Sequence, residues 1–78
     1  MKLTYDSRYN VAYLLLHEKT AEVETIHVTE DLNVDLAPDG TIYGIELLNA
    51  NEQLKGLTPG KFVVENEATG ESVEVGLP

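Results

Sequence analysis

Leu32-Asn33-Val34-Asp35-Leu36-Ala37-Pro38-Asp39-Gly40-Thr41-Ile42-Tyr43-Gly44-Ile45-Glu46-Leu47-Leu48 is the stretch that decides the fold. Leu32, Val34 and Leu36 alternate with Asn33 and Asp35, the period-two pattern of a strand with one apolar face. Ala37-Pro38-Asp39-Gly40 follows, with proline at the second turn position and glycine at the fourth, as a type I turn prefers. The next strand, Thr41 to Leu48, is apolar on both parities: Tyr43, Ile45 and Leu47 on one, Ile42, Gly44 and Leu48 on the other. These two strands form an antiparallel hairpin, and the second belongs inside a sheet.

Working outward, Leu3 and Tyr5 alternate with polar neighbours, and Asp6 to Asn10 supplies turn formers before Val11-Ala12-Tyr13-Leu14-Leu15-Leu16, again apolar on both parities. After the polar turn around His17 to Thr20, residues Val23 to Val28 form a third strand whose weaker pattern suits an edge. Asn49 is placed to cap a short helix near residues 50–56, accepting from the backbone at Glu52, with Gly56 and Pro59 ending it and Leu54 and Leu57 packing on the sheet. Phe62 to Glu65 and Ser72 to Val75 form a last hairpin. A loop of Glu67 to Gly70 sets Val64 opposite Val73 and Phe62 opposite Val75, all on one face. The expected architecture is one mainly β domain over residues 1–78, an antiparallel sheet of about seven short strands with one short helix.

The chain has 78 residues and a formal net charge of −9. Such a charge opposes phosphate backbones, so direct nucleic-acid binding is not expected, and a macromolecular partner would be basic. No apolar run approaches the roughly 20 residues of a membrane helix, and the start lacks the apolar core of a secretory signal. With no cysteine there are no disulfides or thiolate metal sites, and a cytoplasmic address is the default.

Tyr5-Asp6, Ala12-Tyr13-Leu14, Asn33-Val34-Asp35, Asp39-Gly40 and Ile42-Tyr43-Gly44-Ile45-Glu46-Leu47-Leu48 together resemble the small bacterial domain of unknown function 2283 family over about the first fifty residues. The glycine-isoleucine-glutamate strand is the most specific part. At Asn10, where relatives often carry an acidic residue, the chain departs, so no carboxylate role carries over to that loop. The resemblance implies an antiparallel β core over residues 1–50 with no assigned activity, and an antitoxin-like or partner-binding role. Residues 51–78, the short helix and C-terminal hairpin, lie outside it.

Chemistry-bearing patterns are sparse. Asp31, Asn33 and Asp35 have the spacing of a calcium loop, but such a loop needs glycine where Leu36 stands and glutamate where Ile42 stands. A strand with one polar side explains the same residues. Asp35, Asp39 and Glu46 are the candidates for carboxylate chemistry or metal binding. With a loop of Pro38 to Gly40, Asp35 stands opposite Tyr43 and on the other face from Glu46, which argues against convergence. Glu46 interrupts an apolar strand, sharing a face with Ile42 and Leu48, and a structural hydrogen bond accounts for it better than catalysis. His17 and His27 read as solvated surface, and Tyr13 and Tyr43 as core. No nucleophile elbow, phosphate-binding glycine spacing or cofactor motif is present.

The leading functional expectation is therefore a non-enzymatic interaction module, an antitoxin-like acidic binder of a basic protein. A carboxylate-dependent metal-binding protein or enzyme, and a purely structural oligomer, are the alternatives. Two strands apolar front and back need cover that a two-turn helix cannot give. A homodimer buried through Tyr13, Leu15, Tyr43, Ile45 and Leu47, or through the opposite parity, would supply it.

Overall fold

The computed structural model describes residues 1–55 and 60–77. Its elements in chain order are β1 (Lys2–Asp6), β2 (Val11–Leu15), β3 (Glu24–Thr29), β4 (Leu32–Leu36), β5 (Ile42–Leu48), α1 (Ala50–Gln53), β6 (Lys61–Glu65) and β7 (Ser72–Gly76). The first five strands make one sheet in the order β1-β2-β5-β4-β3, and the last two make a separate hairpin, all pairings antiparallel. From β2 the chain crosses to the far edge, then meanders back through β3 and β4, so that β5 closes the sheet at its centre. That position explains why β5 carries the richest apolar run, and β3 lies at an edge as its weaker pattern suggests.

Local chemistry sets each reversal. At the β4–β5 turn the Gly40 N–H donates to the Ala37 carbonyl and Gly40 adopts φ +89°, a three-residue loop that ends in a left-handed residue. Asp39 Oδ1 accepts from the Thr41 N–H and locks the turn. In the C-terminal hairpin Phe62 pairs with Val75 and Val64 with Val73, the register that the alternation predicts, around a loop of residues 67–70.

Two local expectations are corrected. α1 spans only Ala50–Gln53, and the Asn49 side chain makes no capping bond; the Glu52 N–H donates to the Asn49 backbone carbonyl instead. Asn49 sits at φ 52°, a left-handed conformation that aims its side-chain oxygen away from the helix start and toward Asn10. The termination by Gly56 and Pro59, and the packing of Leu57, lie outside the described residues. Leu54 is half-buried.

Register sorts the side chains into two unlike faces. Leu3, Leu14, Ile45, Val34 and Ile26 are paired neighbours in one row across all five strands. Beside them runs Tyr5-Ala12-Leu47-Leu32. The opposite face carries Thr4-Tyr13-Glu46-Asn33-His27 and Leu15-Gly44-Asp35-Thr25. Among the described residues α1 packs against β2, and no second sheet lies over the apolar face. Among the described residues the buried hydrophobic side chains are Ala12, Tyr43 and Ala50, and no large side chain is fully buried.

Candidate functional site

The polar face of the sheet gathers the chain's organised side-chain chemistry. It begins with a bulge. Leu36 pairs with Ile42, but Asp35 pairs with Gly44, so Tyr43 is an extra residue on β5. One added residue inverts side-chain parity beyond it. The sequence-based pairing of Asp35 with Tyr43 is thereby corrected: Asp35 stands opposite Gly44, on the same face as Glu46. Glu46 keeps Leu48 as a face neighbour, whereas Ile42 lies across the bulge.

Asp35 is the centre of one network. Its carboxylate accepts from the Tyr13 hydroxyl at 2.7 Å and the Thr25 hydroxyl at 2.7 Å. Lys19 Nζ lies 3.0 Å from the same carboxylate and 4.7 Å from the centroid of the Tyr13 ring. Burial pushes the Asp35 carboxyl up, but donation from Thr25, Tyr13 and Lys19 outweighs it and holds the group below the ordinary aspartate value. Burial, and then the bond to Asp35, push the Tyr13 hydroxyl up; the bonds to Tyr13 and Asp35 push Lys19 up as well. A carboxylate so saturated by donors is a poor general base. Lys19 belongs to the segment between β2 and β3, which is further held by the Ala21 N–H donating to the Tyr43 hydroxyl and by His17 Nδ1 against the Ile42 carbonyl.

A second network runs along the neighbouring row. Asn33 Nδ2 donates to Glu46 Oε1 at 2.9 Å, which turns Asn33 Oδ1 toward His27 Nδ1 at 2.6 Å. That amide oxygen can only accept, so the contact is a hydrogen bond when a proton sits on His27 Nδ1. Glu46 thus has the structural hydrogen bond expected of it. Asp39 is remote from both networks, committed to its own turn, where the Thr41 N–H holds its carboxyl below the ordinary value.

The structure therefore brings Asp35 and Glu46 to one face and leaves Asp39 apart. Among the described residues no group of three or more His, Cys, Asp or Glu is placed to hold a metal ion. Of the five residues read as an interface, Ile45 and Leu47 share the apolar face, Tyr13 and Leu15 point to the polar one, and Tyr43 is the buried bulge residue. Tyr13 is a member of the polar network and not a core residue, while Tyr43 is core, 4% exposed. Sequence reasoning missed Lys19 and Thr25, and it read His27 as solvated surface and Asn33 as the polar side of a strand, where the structure joins them in a network. A partial signal for three of these four exists in the shared i, i+2 spacing of Thr25-x-His27 and Asn33-x-Asp35, but the register that joins Thr25 to Asp35 and His27 to Asn33 comes from a shift between His27 and Thr29, since a Glu30-Asp31 turn alone would pair His27 with Val34.

A third cluster fixes the end of the sheet. Asn10, at φ 57°, donates from Nδ2 to the side-chain oxygens of Asn49 and Asn51, and its own Oδ1 accepts from the Asn51 N–H at 2.7 Å. The Ala50 N–H donates to the Asn10 carbonyl, tying the β1–β2 turn to the start of α1. Among the described residues no helix is long and apolar enough to cross a membrane.

No curated protein and no solved structure matches the chain. One family match covers the part of the chain holding the five-stranded sheet, both polar networks and the asparagine cluster, and stops before β6 and β7. A family model for proteins of unknown function, DUF2283, matches residues 2–51, and the chain belongs to that family.

Proposed function

We propose that this protein is a non-enzymatic interaction module that works as a homodimer, the apolar face of its five-stranded sheet covered by a second copy. The observation that carries this reading is the row Leu3-Leu14-Ile45-Val34-Ile26, apolar across all five strands of the sheet and, among the described residues, without a second sheet over it. A sheet apolar on one face is stable when that face is packed, and a helix of four residues is too small to do it. Surface area points the same way. The chain exposes 5881 Å², whereas a compact monomer of 8.6 kDa exposes about 4,700 Å². The difference, about 1,200 Å² per chain, is of the size each partner loses in an obligate homodimer, and part of it lies on β6 and β7, which are exposed at every residue. A second copy brings the same surface, and a two-fold axis makes it self-complementary. Leu14, Val34, Ile45 and Leu47 are its central residues.

The outward face of such a dimer is the polar one, on a chain of net charge −9. That charge supports a basic protein as the further partner, an antitoxin-like role in which the acidic module masks it. A carboxylate-dependent metal or enzyme role on Asp35, Asp39 and Glu46 has less support, because Asp35 is already held by three donors and Asp39 lies apart. A purely structural oligomer shares the same interface and differs only in lacking the basic partner. Sedimentation at micromolar concentration is expected to give twice the chain mass, and a stable monomer would overturn the reading. In a low-salt pull-down from the native host, a basic protein released by raised salt is expected. Submillimolar binding of magnesium, manganese or calcium, abolished by Asp35→Asn, would favour the metal role instead.

A further inference from the structure

Lys19 holds a place unlike that of the other ion-paired cations. Arg8, Lys55 and Lys61 pair with Asp6, Glu52 and Glu74, carboxylates whose side chains are 36% exposed or more, whereas the Asp35 side chain is 12% exposed. The ammonium of Lys19 lies 3.0 Å from Asp35 Oδ2 and over the ring of Tyr13. A carboxylate beside an aromatic face is a receptor for an organic cation. The receptor belongs to the sheet, because Asp35, Tyr13 and Thr25 stand on β4, β2 and β3 and the tyrosine and threonine hydroxyls both donate to the carboxylate. Its cation does not. Lys19 stands in the segment 17–23, which is exposed at every residue and is otherwise bonded to the sheet at His17 and Ala21. Four residues of that segment, His17, Glu18, Thr20 and Ala21, line an open cleft of about 570 Å³ together with the β4–β5 turn around Pro38, so the segment is not packed down along its length.

Counting acceptors shows what the receptor takes once Lys19 leaves. An ionised carboxylate has about four acceptor positions, two on each oxygen. Thr25 takes one on Oδ1 and Tyr13 one on Oδ2, so one then remains on each oxygen. Lys19 uses only the one on Oδ2. A guanidinium donates parallel bonds to both oxygens of a carboxylate and stacks on an aromatic face, a fork that an ammonium lacks. A metal ion wants further carboxylate or imidazole ligands, and no such group of three is present among the described residues. We infer that Asp35 and the Tyr13 ring form the site on the polar face that receives an arginine side chain of the basic partner, and that Lys19 fills it in the free protein as an internal competitor. This rests on the basic partner proposed above and names where that partner is held. The Lys19 side chain is 41% exposed, so the partner reaches the site from solvent and exchanges one cation for another.

The probe is N-acetyl-arginine amide, added to full-length protein carrying isotope-labelled lysine. The Tyr13 ring shields the ε-methylene of Lys19, which should resonate upfield of that of Lys55, and saturating probe is expected to move it to the position of Lys55. A Lys19 resonance that stays in place overturns the inference. N-acetyl-lysine amide should displace Lys19 less readily, and the reverse order overturns the assignment to arginine. Affinity gives a second reading. Lys19→Gln should bind the arginine probe about tenfold more tightly than wild type, the factor for a site that Lys19 fills about nine-tenths of the time. Lys55→Gln, of the same net charge, should bind as wild type does, and equal affinity of the two variants overturns the internal competitor. Asp35→Asn should lose the binding; should it fail to fold, the resonance measurement on wild type decides without it. A low-salt pull-down separates this inference from the reading it rests on. A basic protein recovered equally by wild type and Lys19→Gln, with the Lys19 resonance unmoved by the probe, overturns the site and leaves the partner. Displacement of Lys19 by the probe with no basic protein recovered overturns the partner and leaves a guanidinium site.

Discussion

The ring of Tyr13 lies flat over Gly44, so close that a Cβ built on the glycine would meet the ring carbons and hydroxyl at 2.5 Å. Gly44 is paired with Leu15 and Asp35, and the hydroxyl of the same Tyr13 donates to that Asp35. The glycine is thus the space in which the tyrosine crosses from its own strand to reach the carboxylate. Gly44→Ala is expected to destabilise the fold by about 1–3 kcal/mol through overpacking. Chemical denaturation of Gly44→Ala, of Tyr13→Ala and of the double variant tests this. The double variant should lose clearly less than the sum, and strict additivity would remove the steric explanation.

Protonating Asp35 should unlatch the segment that carries Lys19. The folded-state pKa of Asp35 is lowered, so its contribution is present above the unfolded value, about 3.9, and is lost as pH falls through the folded one. Tyr13 and Lys19 are raised, so their contributions are present below about 10 and are lost as pH climbs past their folded values. Stability should therefore fall at both ends of the range. Asp35→Asn should cost about 1–3 kcal/mol near neutral pH and flatten the acid limb. Denaturation midpoints between pH 2 and 7 for both proteins are the measurement, and parallel curves would count against the latch.

Asn10 has two jobs that can be separated. Its backbone is left-handed, and its side chain holds Asn49, Asn51 and the start of α1. Asn10→Gly relieves the backbone and removes the bonds; Asn10→Ala removes both, so it should be the less stable of the two, by about 1 kcal/mol. Asn10→Asp keeps an acceptor for the Asn51 N–H but loses the Nδ2 donor, and should lie nearer to wild type than Asn10→Ala. Thermal unfolding of the three variants reads the order directly.

The two faces of the sheet should respond oppositely to charge. Val34→Lys places an ammonium in the proposed interface, whereas a lysine at Thr4, on the polar face, meets solvent. Sedimentation of Val34→Lys is expected to show monomer, and Thr4→Lys to remain dimeric. Equal behaviour of the two variants would contradict the assignment of the interface to the apolar face.

Alternation, turn chemistry and propensity act between neighbours along the chain, so the sequence by itself determined the seven strands, the Pro38-to-Gly40 turn, the edge position of β3 and the register of β6 on β7. The apolar row could also be assembled from the strand patterns, because Ile45 and Ile26 lie clear of the two register shifts, at Tyr43 in β5 and between His27 and Thr29 in β3. What alternation cannot reveal is a place where parity changes. Only the tertiary structure decided that Tyr43 is an extra residue, which brings Asp35 and Glu46 to a single face, and that β2 pairs with β5 in the register that sets Tyr13 opposite Glu46 and away from Ile45. The physical reason is that a bulge is chosen by what it allows at a distance: Tyr43 buried with its hydroxyl accepting from Ala21, and Tyr13 laid over Gly44. The same holds for Asn49, whose short-range pattern suits a helix cap but whose side chain is taken by Asn10, 39 positions earlier in the chain.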